Sequence, residues 1–194
     1  MSENTKIEWC DSTFNPWIGC TKVSTAGNGG GGCDGCYAAE STPVRVMRGK
    51  GQETWGPSAP RQRTSAEYWK QPLRWNERKF FACTCCGWRG DDVALKPPSF
   101  GVANGCIHDL VPARRRVFCA SLADVFDNEV DPAWRVDLFQ LIADTPSLDW
   151  LLLTKRIGNV FHLVPDTWRA AFPPNVWLGA TAVNQKEFDR AGAR

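Results

Sequence analysis

The sequence predicts an α/β protein that contains part of a TIM-like (β/α) barrel. The main observation is the alternation of strand-like and helix-like segments between residues 116 and 182, which is typical of right-handed βαβ units in a parallel sheet. The second is length, because 194 residues fall short of the about 250 that a complete barrel usually needs. We therefore expect about half a barrel, with either an open sheet or a chain that is truncated at its C-terminal end.

Three regions follow from the distribution of residue types. Residues 1–49 are expected to supply an N-terminal strand, a cysteine-containing loop and a first helix from Asp34 to about Arg48, kinked or broken at Pro43. Residues 50–115 show no sustained period and are dense in Pro, Gly, Trp and Arg, so they are interpreted as an inserted lobe. Residues 116–194 carry the βαβαβ part of the barrel.

The regular elements of the third region are predicted from short apolar runs and helix-start signals. Asp131 is a candidate N-cap, and Pro132 then occupies the first helical position. The predicted elements are a strand at 116–121, a helix at 131–145, a strand at 149–155, a short helix at 157–163 and a strand at 175–182.

Composition narrows the classes of protein to consider. The 23 Lys and Arg residues nearly balance the 21 acidic residues, so overall charge does not support a nucleic-acid partner. The N-terminus has no apolar signal core and no run approaches the ~18 apolar residues of a membrane span. Nine cysteines in such a chain predict reduced, metal-binding thiols in a cytoplasmic protein without a membrane partner.

Cys20, Cys33 and Cys36 are the first candidate metal ligands. Three thiolates can hold three irons of a 4Fe–4S cluster and leave the fourth iron open to a ligand that chelates through an amine and a carboxylate, as S-adenosylmethionine does. A structural zinc site is the alternative, and Cys10 would then be the fourth ligand. The remaining alternative is that the three cysteines only pack as small apolar residues.

A second cysteine group lies within the predicted insertion. Cys83, Cys86, Cys106 and His108 have the ligand types and number of a tetrahedral zinc site, and Cys85 could replace a neighbour. Zinc would supply folding free energy that the few apolar residues of this region lack. A nucleic-acid-binding knuckle flanked by basic residues is the alternative to this structural role.

Polar residues that follow predicted strands are the remaining candidates. Ser121 and Asp124 follow the strand at 116–121, and Lys155 and Arg156 end the next one, at the positions where α/β sheets present ligand-binding residues. Asp124 could bind the ribose or amino group of a cofactor, and Lys155 or Arg156 a carboxylate or phosphate. Helix capping and surface charge are the alternative roles.

Several segments together resemble a known family, the phage gp-thirty-seven/gp-sixty-eight proteins, which are similar to radical S-adenosylmethionine enzymes. The matching segments are KIEWCDSTFNPWIGCTKVS at 6–24, GCDGCYAAE at 32–40, QPLRW at 71–75, RRVFCASLADVFDNEV at 115–130, LLLTKR at 151–156 and NVWLGATAVNQ at 175–185.

The resemblance implies a radical S-adenosylmethionine type of barrel and a cluster-binding cysteine trio. Those enzymes usually have three residues between the first two cysteines, whereas twelve separate Cys20 from Cys33 here. They also commonly place an aromatic residue before the third cysteine, whereas here Tyr37 follows Cys36 and is the candidate for cofactor contact. The family normally continues with further strands, which supports the expected truncation.

The sequence therefore favours an iron–sulfur enzyme of the radical S-adenosylmethionine type, of phage or bacterial origin, which would need an electron-donor protein. Its substrate is not encoded in any motif, and nucleic-acid or nucleotide modification is suggested by analogy alone. A non-enzymatic zinc-binding module and a truncated, inactive remnant are the alternatives.

Overall fold

The central feature of the fold is a four-stranded, entirely parallel β-sheet. The computed structural model describes residues 3–23, 33, 35–91, 109–182, 185 and 188–189. The strands of the described residues are β1 (Ser12–Phe14), β2 (Trp17–Ile18), β3 (Gln62–Arg63), β4 (Phe81–Cys83), β5 (Arg89–Gly90), β6 (Leu110–Pro112), β7 (Arg115–Cys119), β8 (Leu148–Thr154) and β9 (Val176–Ala180). The helices are α1 (Thr42–Gly49), α2 (Ala66–Trp69), α3 (Gln71–Glu77), α4 (Pro132–Ala143), α5 (Val160–Leu163) and α6 (Asp166–Ala170), with a 3-10 turn at Ile157–Asn159.

The parallel sheet has the strand order β1-β7-β8-β9. In register, Phe14 pairs with Cys119, Cys119 with Leu152 and Leu152 with Leu178. The carboxyl ends of all four strands therefore meet at one edge of the sheet. The predicted α/β class and parallel strands are confirmed, and the described strands form no closed barrel.

One face of the sheet is covered by α4. The Asp131 carboxylate accepts a hydrogen bond from the backbone N–H of Ala133 at 2.8 Å. Pro132 is the first helical residue, a position whose N–H has no partner within the helix, so the missing proline N–H removes no hydrogen bond. The predicted start of this helix is thereby confirmed. Residues buried between the helix and the sheet include Leu138, Ile142, Leu148, Trp150 and Leu152.

The opposite face is less covered. In β8 the side chains alternate between buried and half-buried, so that Leu152 is fully buried whereas Leu151 and Leu153 are only partly covered. Leu151 pairs in register with Trp177, whose side chain is 62% exposed. Side chains alternate across a strand, so the second face of the sheet is an apolar surface that is open near its carboxyl edge.

The first helix begins later than the sequence predicts. Residues 37–40 form turns, and α1 runs from Thr42 to Gly49 with Pro43 in its first turn. The predicted helical turns before Pro43 are wrong, because the helix begins at Thr42 and Pro43 lies in its first turn, where proline is tolerated.

Residues 50–115 contain short elements and contribute to the main core. Trp75 of α3 is only 2% exposed and packs in the same cluster as Trp150. The strands β4, β5 and β6 form a separate antiparallel sheet with order β5-β4-β6. No helix in the described part of the chain has the length and apolar character needed to cross a membrane.

Candidate functional site

A cavity of about 270 Å³ lies at the carboxyl edge of the parallel sheet. Parallel sheets commonly bind ligands at this edge, because loops from several strands converge there. Residues from the loops after β2, β7 and β8 and from the cysteine segment form its walls. They include Trp9, Cys20, Lys22, Cys33, Cys36, Tyr37, Trp55, Phe118, Ser121, Asp124, Leu153, Lys155 and Arg156.

All three cysteines of the first group border this cavity. Cys20 follows β2, and the Cys33 sulfur accepts a hydrogen bond from the Val23 N–H at 3.4 Å, which links the two cysteine segments. Each of the three is a free thiol. Within the described part of the chain, no three His, Cys, Asp or Glu side chains are close enough to form a ready-made metal site. The sequence-predicted trio therefore shares one cavity without forming a closed ligand set.

Cys10, the alternative fourth ligand, is placed differently. Its side chain is 4% exposed and is not among those that border the cavity. Burial raises the pKa of the Cys10 thiol to about 11, and the neighbouring Asp11 carboxylate adds to the effect. Cys10 therefore packs as a protonated thiol away from the cavity, and the cysteines that border the cavity are Cys20, Cys33 and Cys36.

Arg156 is the nearest charged partner of Cys20. The Arg156 Nη1 atom lies 3.4 Å from the Cys20 sulfur, and Nη2 donates to the Thr21 carbonyl oxygen. Burial raises the pKa of the Cys20 thiol to about 11, although Arg156 acts in the opposite direction. The thiol is protonated at neutral pH, so a bound metal ion must displace its proton.

Asp124 anchors the loops that follow β7 and β8. Its carboxylate accepts hydrogen bonds from the Thr154 hydroxyl at 2.8 Å, the Arg156 guanidinium at 3.1 Å and the Lys155 N–H at 3.2 Å. The N–H of Phe126 is a further donor. These contacts satisfy the Asp124 oxygens within the protein, so the structure favours a role in positioning Arg156 over direct contact with a ligand.

A buried ionic network continues from this point. The Arg61 guanidinium lies 2.8 Å from Asp127 and 2.9 Å from Glu129, and the side chains of Arg61 and Asp127 are both 1% exposed. Arg61 also donates to the Thr21 hydroxyl at 2.7 Å. This network fixes the segment after Cys20 to the loop after β7.

Ser121 and Tyr37 are held by a second set of hydrogen bonds. The Asn15 side chain contacts the Ser121 hydroxyl at 3.0 Å and accepts from the Leu122 N–H at 2.7 Å. The Tyr37 hydroxyl donates to the Ser121 carbonyl oxygen at 3.0 Å, and its ring is 64% exposed beside the cavity. Asn15 and Ser121 therefore shape the wall, and Tyr37 remains available to a ligand.

Two backbone positions at the cavity are unusual. Ala120, which borders the cavity directly after β7, has a φ of +63°, a conformation that costs a non-glycine residue free energy and is often found at functional sites. Gly19 has a φ of +115°, and a Cβ at this position would lie 2.3 Å from the Thr54 carbonyl oxygen. Only glycine fits directly before Cys20 without displacing the Thr54 backbone.

Aromatic rings line one side of the cavity. Trp9 packs against Phe118 with ring centroids 4.7 Å apart, and Tyr37 and Trp55 complete the group. Aromatic faces of this kind suit a flat ligand ring. Scattered aromatic residues carry no periodic signal in the sequence, so this grouping was not predicted.

The second cysteine group is partly described. Cys83 ends β4 and is buried, and the Gly87 N–H donates to the Cys83 carbonyl oxygen at 3.0 Å in the tight turn that holds Cys86. Cys106 and His108 lie outside the described residues. The predicted zinc site therefore stays a prediction.

Arg61, Glu129 and Lys22 also belong to this region and were not selected from sequence. Arg61 lies in a segment without hydrophobic period, and its carboxylate partners are more than 60 residues away along the chain. Glu129 lies two residues after Asp127, and nothing else in the sequence pattern pointed to it. Contacts of this length leave no local pattern.

A family model described as "Protein of unknown function (DUF5131)" matches residues 4–193. The chain belongs to this family. The DUF5131 match includes both cysteine groups and all four strands of the parallel sheet. No curated protein and no solved structure shows significant similarity to the chain.

Proposed function

We propose that the protein is an iron–sulfur enzyme of the radical S-adenosylmethionine type, in which Cys20, Cys33 and Cys36 hold a 4Fe–4S cluster. The observation that carries the proposal is the convergence of these three free thiols on one cavity at the carboxyl edge of a parallel sheet. Thiolates are the donors that iron–sulfur clusters require. Three of them, with Cys10 outside the cavity wall, match a cluster with one open iron.

In this proposal the four parallel strands are part of a (β/α) barrel of radical S-adenosylmethionine type. The strands are neighbours in the order β1-β7-β8-β9, with α4 on one face. The other face is partly uncovered and leads to the cavity, as the inner face of a barrel would. The sequence resemblance to the phage gp-thirty-seven/gp-sixty-eight proteins supports the same interpretation.

The chain's own residues would perform three tasks at this site. Arg156, 3.4 Å from the Cys20 sulfur, stabilises the thiolate that metal binding needs, because a cation beside a thiol favours its charged form. Asp124 holds Arg156 in place through a 3.1 Å contact. Trp9, Tyr37 and Phe118 offer aromatic surfaces for the adenine of the cofactor.

When bound, the cluster supplies an electron and an open iron that together allow carbon–sulfur cleavage of S-adenosylmethionine and hydrogen abstraction from a substrate. The electron must come from a donor protein. Nucleic-acid or nucleotide modification remains the proposed substrate class, and it rests on analogy.

Zinc is proposed at the second cysteine group. Cys83 and Cys86 belong to a turn closed by two backbone contacts, from the Cys83 N–H to Trp88 O at 2.7 Å and from the Gly87 N–H to Cys83 O. Such a turn presents two sulfurs from one end of a β-hairpin, as small zinc sites do. The metal would stabilise this small antiparallel sheet and take no part in the reaction.

The test of the proposed function is anaerobic purification and reconstitution with iron and sulfide. About four irons per chain, with an electron paramagnetic signal that changes on addition of S-adenosylmethionine, is the expected result. Cys33→Ala should abolish the brown chromophore, whereas Cys86→Ala should leave it intact and remove zinc. Zinc alone in the wild-type protein, with no chromophore, would overturn the proposal in favour of a zinc-binding module.

A further inference from the structure

A second cavity, of about 380 Å³, adjoins the cysteine cavity. The two share four lining residues, Thr21, Lys22, Lys155 and Arg156. Its other walls include Asn128, Glu129 and the 3-10 turn at Ile157–Asn159. Among the described residues, no cysteine lines this second cavity. A ligand in it would lie beside the cysteines without being a metal ligand itself.

The charges around the shared wall separate into a paired network and two lysines. Two arginines, Arg61 and Arg156, pair with three carboxylates, Asp124, Asp127 and Glu129. Arg135 donates to the backbone carbonyl oxygens of Val125 and Asp127 and not to a carboxylate, so the arginines of the network leave no cation over for a ligand.

The two lysines on the shared wall are Lys22 and Lys155. Neither ammonium group forms an ion pair with any carboxylate in the described part of the chain. Both side chains line both cavities. The Glu129 carboxylate on the same wall is engaged by Arg61 at 2.9 Å and by the Ser58 N–H at 3.0 Å. The wall of the second cavity is therefore positively charged.

These lysines are not required to neutralise the cysteine thiolates. Arg156 already contacts the Cys20 sulfur, whereas the second cavity extends away from the cysteines toward Asn128 and the 3-10 turn. Asn128 is exposed, and its amide has no hydrogen-bond partner among the described side chains and backbone groups. Two ammonium groups and an amide N–H₂ are donors that suit a compact anion with several acceptor oxygens.

We propose that the second cavity binds a phosphate group of the substrate, with Lys22 and Lys155 as its charged ligands. The inference rests on the proposed function, since it assigns the substrate of the cysteine cavity to the phosphorylated compounds. It makes the lysines binding residues that place a phosphorylated substrate next to the cluster site. The expected ligand group is a phosphate monoester, either alone or as part of a nucleotide.

The experiment is isothermal titration of the full-length protein with inorganic phosphate, with adenosine 5′-monophosphate and with adenosine. The wild type should bind the monophosphate and not the nucleoside, and the affinity should fall as salt is raised. Lys22→Gln and Lys155→Gln should each weaken binding about tenfold or more, which corresponds to a lost charged hydrogen bond. Equal binding of inorganic phosphate would support the site and assign recognition to the phosphate alone.

Lys79→Gln is the matched control, because Lys79 is exposed and lines neither cavity. Circular dichroism of each variant establishes that it is folded. An equal loss of affinity in Lys79→Gln, or binding of adenosine as tight as that of its monophosphate, would overturn the inference.

The inference and the proposed function fail in different ways. A protein that assembles the iron–sulfur chromophore but does not bind the monophosphate would overturn only the anion site. Lysine-dependent phosphate binding by the wild type, together with failure to assemble a cluster, would retain the anion site and reject the enzyme proposal. Cys33→Ala should lose the chromophore and keep phosphate affinity within about twofold, since Cys33 does not line the second cavity.

Discussion

The face of the parallel sheet that packs on α4 and the carboxyl edge that carries the cavity are held together by different interactions. Against α4, the fully buried side chains of Leu148, Trp150 and Leu152 pack with helix residues. At the carboxyl edge the loops are tied by ion pairs and hydrogen bonds around Arg61 and Asp124. Apolar packing stabilises the fold, whereas the polar network orients a site that solvent can reach.

The largest expected effect is that of breaking the buried ion pair at the carboxyl edge. Arg61→Ala would leave the Asp127 carboxylate, 1% exposed, with only the Arg156 guanidinium at 3.8 Å, and removing one partner of a buried ion pair costs about 3–5 kcal/mol. Urea denaturation should show this loss. Arg74→Ala is the control, because Arg74 and Glu67 are both more than half exposed and such pairs contribute at most about 1 kcal/mol. Similar losses of unfolding free energy in the two variants would mean that ion pairs do not stabilise the carboxyl edge.

The two faces of β8 can be compared directly through neighbouring leucines. Leu152→Ala removes a fully buried side chain and should cost about 2–5 kcal/mol by leaving a cavity in the core. Leu153 is half-buried and borders the site cavity. Leu153→Ala should therefore lower the free energy of unfolding by less than about 1.5 kcal/mol. Equal free energies of unfolding would show that the second face is as well covered as the first.

The backbone conformation at Gly19 is expected to affect the cysteine site. Gly19→Ala places a methyl group against the Thr54 carbonyl oxygen and forces a strained φ, at a cost of about 1–3 kcal/mol. Under the proposed function, iron loading should fall as well, since Cys20 is the next residue. Gly49→Ala is the control, because nothing lies within 4 Å of its Cβ position, and it should be neutral or slightly stabilising. Unchanged metal content in Gly19→Ala would show that the backbone conformation at this position does not affect the site.

The smallest effect concerns Tyr68, whose hydroxyl accepts from the Asn15 N–H at 3.1 Å and donates to Thr13 O at 3.3 Å. Burial raises the pKa of Tyr68 to about 12 from an ordinary value of 10. Between pH 10 and 12 the unfolded chain loses this proton and the folded protein keeps it, so stability falls as pH rises, by at most about 1.4 kcal/mol per pH unit.

Tyr68→Phe should cost about 1–2 kcal/mol at pH 7, because the Asn15 N–H loses the hydroxyl that accepts its hydrogen bond. It should also reduce the dependence of the free energy of unfolding on pH between 10 and 12. Urea denaturation of both proteins across this range measures the difference. A slope identical to that of the wild type would contradict the assignment to Tyr68, since other buried groups such as Cys10 titrate in the same way in both proteins.

The parts of the fold with local patterns were predicted from sequence. The strands β7, β8 and β9 and the start of α4 at Asp131 follow from apolar runs and capping residues within about 15 positions. The three cysteines selected as one group from sequence also border one cavity. The predicted start of α1 was wrong. Asp34 and Pro43 are both typical of helix starts, and the helix begins at the later position because residues 37–40 form turns.

The polar network was not predictable in the same way. Arg61 lies in an aperiodic segment and meets its carboxylates only after the chain has returned through β7. Asp124 was selected by its position, but its role in holding Thr154 and Arg156 depends on the β7–β8 register. Pairing across such distances is a property of the folded topology and leaves no trace in spacing or composition.

The close approach of Gly19 to Thr54 has a consequence for how related sequences should vary. The number of residues between Cys20 and Cys33 can differ from one homologue to another, because the entropic cost of closing a chain segment rises only slowly with its length. Position 19 has no such freedom, since any side chain there meets the Thr54 backbone. Across the family, a glycine immediately before the first cysteine should therefore persist even where the cysteine spacing changes, and it should locate that cysteine in an alignment more reliably than the spacing does.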